Sequence, residues 1–265
     1  MVEVPELKNM LLDLSEEGIL TITINRPEVY NAMNNDSWES LYKAALFARD
    51  TPEVRVVIIT GAGKAFVSGA DLNALKVRTT TDVLMQTMST TREAASIFES
   101  MNKAVIAAVN GFALGGGCEI ALSCDIRIGS TKARFGLPEL GVGQIPGNGG
   151  TQRLARVVGM GLAKDMILTG RMLKGEEALR ANLITYMVEP EELMDKALEV
   201  AKTILTKAPT AVALAKRVVP AAMNVDITTG VMLESLAFAA IQATADKAEG
   251  VDAFLSKRDP QFPGK

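Results

Sequence analysis

The sequence predicts a mixed α/β fold, and three observations carry that expectation. Residues 18–27, GILTITINRP, alternate apolar and polar positions at period two and stop at a proline, the pattern of a half-buried strand. From Asp36 the period lengthens to that of a helix, with Trp38, Leu41, Tyr42 and Ala45 recurring on one face. Residues 54–61, VRVVIITG, then run almost continuously in β-branched residues, which suits a strand buried on both faces. Strand, helix and strand joined by short links make an α/β unit.

The elements follow in order from these signals. Asp36 and Glu39 stand at capping-box spacing ahead of the first helix. A second unit repeats the logic. Residues 82–101 read as a helix, 104–111 (AVIAAVNG) as a buried strand, and the glycines 115, 116 and 117 lead into CEIALSCD, which has helical character. IRIGS and ARFG read as two short strands. Beyond Gly149 helical patterns dominate, over 149–170, 174–183 and 189–209, the last with Leu193, Ala197, Ala201 and Ile204 on one face. Residues 209–265 carry two further helical stretches and a polar tail ending DPQFPGK. The expected organisation is a core over 1–200 and a helical C-terminal region over 201–265.

Composition bounds the function. The chain of 265 residues is 48% hydrophobic, with a net charge of −3 and no block of Lys or Arg, so neither nucleic acid nor an anionic membrane surface is an expected partner. No apolar run reaches membrane-spanning length, and the N-terminus lacks the apolar region of a secretory signal, so a cytoplasmic protein is expected. Cys118 and Cys124, outside any CxxC spacing, fit buried thiols in a reducing compartment. There is no histidine. Ser-His-Asp triads, Cys-His pairs and HExxH zinc sites are thereby excluded, no metal site is expected, and acid-base work falls to Asp, Glu, Lys, Tyr or Cys.

Two loops could carry chemistry. GAGKAFVSGAD, residues 61–71, follows a buried strand, but Ile58 and Ala65 break the phosphate-loop pattern and Phe66 breaks the dinucleotide one. It reads either as a plain strand-to-loop turn or as a ligand loop at a strand C-terminus. Glu119 directly follows the glycine run, and Glu139 sits in a segment, 134–150, dense in glycine and proline. Each acid alone fits a helix cap or a solvated carboxylate. In a chain without histidine the two together make a natural acid-base pair, since burial side by side drives their proton affinities apart. Cys118 lacks a base to activate it and reads as a small buried hydrophobe. The Met-rich stretch from Met85 to Met101 reads as core.

The stretches NRPEVYNAM, GAGKAFVSGADL, KAVIAAVNGFALGGGCEIALSCDIRI, ARFGLPELGVGQIPGNGGTQRL and AFLSKR resemble the enoyl-CoA hydratase (crotonase) family in order and spacing, from about Ile19 to Arg258. The resemblance implies a spiral of ββα units with a helical C-terminal region used for trimerisation, commonly as a dimer of trimers. It implies an acyl-CoA thioester substrate, with CoA as part of that substrate and no separate cofactor. By motif, the catalytic glutamates fall on Glu119 and Glu139, the oxyanion-hole amides on Ala70 and Gly116, and a water-orienting amide on Gly147. CoA contacts fall on Ser68, Asp71, Leu72, Phe254 and Lys257.

The two glutamates point to hydration of a 2-enoyl thioester. Isomerisation, hydrolysis, hydration of cyclic or dienoyl thioesters, and a catalytically silent CoA-binding role stand as alternatives. Glu28 and Asn73 occupy places where family members often carry Lys, which leaves Lys76, Arg78 or Lys257 to meet the CoA phosphates. Leu137 replaces a frequent Gln two residues from Glu139, which suggests either a raised proton affinity of Glu139 or a pocket for a bulkier or more apolar acyl group.

Overall fold

The computed structural model describes residues 2–77, 79–82 and 88–265. Numbered along the chain, strands β1 (Met10–Leu14), β2 (Ile19–Ile24), β3 (Val56–Gly61), β5 (Ala104–Val109), β7 (Ile126–Ser130) and β10 (Tyr186–Val188) form a six-stranded sheet in that order. A four-stranded sheet runs β4 (Ala65–Val67), β6 (Phe112–Leu114), β8 (Arg134–Gly136) and β9 (Leu173–Lys174). Among the described strands, β1 and β9 pair antiparallel, with β2 and β8 respectively, and the other pairs are parallel.

Three successive turns of chain share one plan. β3, β5 and β7 lie in the large sheet, and each is followed at once by β4, β6 or β8 in the small one. Helical chain then returns to the large sheet: α2 (Leu72–Lys76), α3 (Thr80–Asp82) and α4 (Met88–Ser100) after β4, and α5 (Gly116–Ser123) after β6. After β8 come α6 (Gly150–Val158) and α7 (Met160–Thr169). The result is the expected spiral of ββα units. It brings the C-terminal ends of β4, β6 and β8 side by side, with Val67 opposite Ala113 and Leu114 opposite Gly136.

The continuous apolar run of β3 is explained by two cores, one on each face of the large sheet. Val57 and Ile59 join the main core with Leu20, Ile22 and Val105. Val56 and Ile58 face a second core closed by Leu193, Ala197 and Ala201 of α9 (Leu193–Leu205). Alternate side chains of a strand point to opposite faces, so a strand covered on both sides is apolar throughout.

Several local expectations need correction. The first helix, α1 (Asn35–Asp50), is capped by Asn34, whose side chain accepts the Ser37 N–H at 2.9 Å. Asn34 is the last extended residue before the helix, so it holds the cap position, and Asp36 and Glu39 instead pair with Lys8 and Lys43. Beyond α8 (Gly175–Arg180) and α9, residues 209–265 hold three helices, not two: α10 (Pro209–Val218), α11 (Ile227–Ile241) and α12 (Ala245–Leu255). Thr244 caps α12 by accepting from Lys247 N–H, which breaks an otherwise continuous helical pattern. The polar tail folds back, with Gly264 N–H donating to Asp246 at 2.7 Å and Gln261 N–H to Glu249 at 2.6 Å.

Lys216 locks α10 onto the core. Its Nζ donates to the carbonyls of Phe98 and Lys103 and pairs with Asp125 at 2.8 Å, while its side chain is only 5% exposed. α11 behaves differently: none of its residues is buried, and Ile227, Leu236 and Phe238 all stand largely exposed. Among the described residues no single helix is long and apolar enough to cross a membrane.

Candidate active site

The small sheet delivers the site. Ser68, Gly69, Ala70 and Asp71 leave the C-terminal end of β4, Gly115 and Gly116 that of β6, and Pro138 and Glu139 that of β8. All eight line one cavity of about 870 Å³, together with Trp38, Leu72, Glu119, Gly147 and Asn148. The carboxyl ends of parallel strands are where α/β sheets present ligand-binding loops.

The glycine run divides its work. Gly115 takes φ 51° and ψ −123°, open only to glycine, and its N–H donates to Gly136 O at 2.9 Å. This turn starts α5 at Gly116, whose N–H belongs to the first helical turn and has no carbonyl to bond within the helix. Trp38 packs behind it: a Cβ on Gly116 would lie 2.9 Å from Trp38 Cζ2. Gly117 would drive a Cβ to 2.2 Å from Val67 O, so close packing of α5 on β4 needs a glycine there too.

Ala70 lies on the neighbouring loop. Met33 N–H donates to Gly69 O at 2.9 Å and Asp71 N–H donates to Met33 O at 3.0 Å, a parallel bridge that leaves the Ala70 N–H directed away from Met33. The two loops touch, since Gly69 Cα lies 3.8 Å from the Cβ position of Gly115. Ala70 and Gly116 thus stand on adjacent loops of one cavity, Gly116 at a helix N-terminus.

The carboxylates differ in environment. Glu119, on the first turn of α5, is 3% exposed, and its Oε1 accepts the N–H of Asn148 at 2.7 Å and of Gly150 at 2.8 Å. Arg153 braces that turn, donating to Asn148 O and bonding Glu99 through two nitrogens. Glu139 has a buried Oε2 with no protein hydrogen-bond partner. Burial pushes its carboxyl up to about 7, its own N–H opposes, and the charge of Glu119 raises it further. One acid is held as a hydrogen-bond acceptor, and the other keeps its proton to near neutrality.

Of the residues expected from sequence, Glu119, Glu139, Ala70, Gly116, Gly147, Ser68, Asp71 and Leu72 all line this cavity. Phe254 and Lys257 do not; they stand exposed at the end of α12, with Phe254 at 84%. Lys76 is exposed outside the lining, and Arg78 lies outside the described residues, as does Met85, although Met101 is core. Leu137 does not shape the cavity. It is fully buried, with Cδ1 3.0 Å from the Cβ position of Gly150, and so supports the turn that holds Glu119. Cys118 is fully buried and burial raises its thiol further from ionisation, as expected of an inert residue. Sequence reading passed over Asn148 and Gly150, although the run GNGG after a buried acid segment was a signal for backbone donors.

The family model for enoyl-CoA hydratase/isomerase matches residues 15–265. The chain belongs to the enoyl-CoA hydratase/isomerase family. It is 46% identical over 254 residues to the short-chain-enoyl-CoA hydratase of Clostridium acetobutylicum, covering 96% of this chain and 97% of that one. It is 42% identical over 265 residues to the crotonyl-CoA hydratase of Syntrophomonas wolfei, covering 97% and 99%. Among solved structures, enoyl-CoA hydratase from Bacillus anthracis superposes with a TM-score of 0.92 at 38% identity, covering 97% of this chain and all of that one. The spiral described above is thus the fold of this enzyme family.

Proposed function

We propose that this family member is an enoyl-CoA hydratase that adds water across the 2,3-double bond of a short 2-enoyl-CoA thioester, giving a 3-hydroxyacyl-CoA. The observation that carries the reading is the pairing of an acceptor-held Glu119 with a proton-retaining Glu139 in the cavity that Ala70 and Gly116 also line. The thioester oxygen sits between the N–H groups of Ala70 and Gly116. As the water oxygen bonds to C3, the C2–C3 π pair moves toward the carbonyl and negative charge gathers on that oxygen. Fixed amide donors there lower the barrier by ~3 kcal/mol.

Glu119 accepts the proton that the water releases, and Glu139 gives its own proton to C2 as the enolate collapses. The donor set around Glu119, with Gly147 beside it in the cavity wall, orients the water. Such acid-base assistance is worth about 10²- to 10⁴-fold. A hydratase needs both roles at once, which favours hydration over isomerisation. With Leu137 outside the cavity, the special pocket for cyclic or dienoyl groups loses its support.

Ser68, Asp71 and Leu72 take the CoA portion, and the reaction needs no cofactor beyond the CoA that the substrate carries. The exposed apolar face of α11 and the exposed Phe254 and Lys257 fit a trimer or dimer of trimers, in which residues 201–265 of one copy reach the CoA site of another. A cytoplasmic location is part of the same reading. The test is loss of enoyl-thioester absorbance with crotonyl-CoA, run on the parent, Glu119→Gln and Glu139→Gln. Equal rates in all three would sink the mechanism.

A further inference from the structure

Trp38 is the single tryptophan of the chain, and the sequence presents it only as one position on a helix face. In the structure it stands on the first turns of α1, whose start is fixed by the Asn34 cap. The side chain is 4% exposed, yet it lines the cavity. Its six-membered ring edge abuts the α-carbon of Gly116, with Cζ2 and Cη2 at 2.9 and 3.1 Å from the Cβ position there.

We propose that Trp38 is a specificity-determining residue, forming the floor of the acyl end of the cavity and limiting the substrate to short acyl groups. The inference rests on the hydratase reading. If the Gly116 N–H binds the thioester oxygen, whatever packs on the Gly116 α-carbon lies next to the acyl group. The CoA portion leaves toward Ser68, Asp71 and Leu72 on the other loop. The indole is the largest apolar side chain in the lining, and the core behind it, Leu41 and Ala45 of α1 among others, is fully buried and cannot yield space. A rigid aromatic plate backed by close-packed core sets a hard limit to chain extension.

The test compares kcat/KM for crotonyl-CoA and 2-decenoyl-CoA in the parent, Trp38→Phe and Trp38→Leu, with thermal melts to verify folding. The decenoyl-to-crotonyl ratio should rise by about tenfold or more in Trp38→Leu, and by less in Trp38→Phe, since even one methylene in an apolar pocket discriminates by ~10-fold. Taking the ratio within each variant cancels any general loosening of the Gly116 amide. The lone tryptophan supplies a second readout on the parent. Its fluorescence should change when butyryl-CoA binds and stay unchanged with free CoA. An unaltered ratio in a folded variant, or an equal fluorescence change with free CoA, overturns the assignment. A parent that hydrates neither thioester overturns the hydratase reading instead, and the two titrations then decide the Trp38 contact by themselves.

Discussion

Gly150 lies against Glu119 so closely that a Cβ on it would sit 2.9 Å from the Glu119 Oε1 that its own N–H bonds. The same Cβ position lies 3.0 Å from Leu137 Cδ1, so the added atom is confined from two sides. Gly150→Ala should therefore displace the carboxylate while leaving the fold intact. We expect kcat for crotonyl-CoA hydration to fall by about 10²-fold, the usual consequence of an ångström-scale misplacement. Steady-state kinetics beside a thermal melt check this, and a variant of parental activity would contradict it.

Gly115 is a second position where glycine is obligatory. Its backbone conformation is closed to other residues, and a Cβ would approach Glu139 Oε1 to 3.2 Å. Gly115→Ala should both shift the start of α5, moving the Gly116 amide, and displace the Glu139 carboxyl. Activity should fall further than in Gly150→Ala, with a stability loss of ~1–3 kcal/mol measured by urea denaturation.

The pH profile follows from Glu139. Its folded value of about 7 lies above the ordinary 4.5, so below about pH 7 it holds the proton that the proposed mechanism delivers to C2. Hydration kcat/KM should decline as pH rises through about 7, and Glu139→Gln should lose that limb with the activity. Stability has the matching sign. The folded state binds the extra proton, so relative to Glu139→Gln the parent loses stability as pH rises from 4.5 to about 7. A melt series across that range reads it directly.

Lys216 gives a test far from the chemistry. Lys216→Met removes the partner of Asp125 and two carbonyl bonds in a nearly buried site, and should cost about 3 kcal/mol. Hydrogen exchange should report opening of α10 before the sheet opens.

The apolar face of α11 predicts association. Phe238→Asp, at a position 69% exposed in the single chain, should leave the monomer folded and shift the mass in light scattering toward one copy. If the mass of the parent and of this variant is already that of one copy, the oligomer proposal fails.

Much of the fold was legible because it rests on local patterns. The doubly buried β3 and β5 announced themselves as unbroken apolar runs, and the helical face of α9 as Leu193, Ala197 and Ala201. The short strands of the small sheet were harder. β4 and β6 have three residues each, too few for a period to register, and the edge strand β1 buries only Met10. Asp36 and Glu39 misled because a capping box is a spacing, whereas the cap itself depends on where the chain stops being extended, which is Asn34.

The identities of Glu119, Glu139, Ala70 and Gly116 and the absence of histidine were determined by the sequence, since residue chemistry and motif order are one-dimensional properties. Only the tertiary structure decided how they are poised. Asn148 and Gly150 reach Glu119 across 29 and 31 residues, and Glu139 keeps its proton because the folded chain buries it and sets Glu119 near it. The placing of Trp38 behind Gly116 is of the same kind. Hydrogen-bond donors, dielectric surroundings and contact walls come from chain segments that meet only in space.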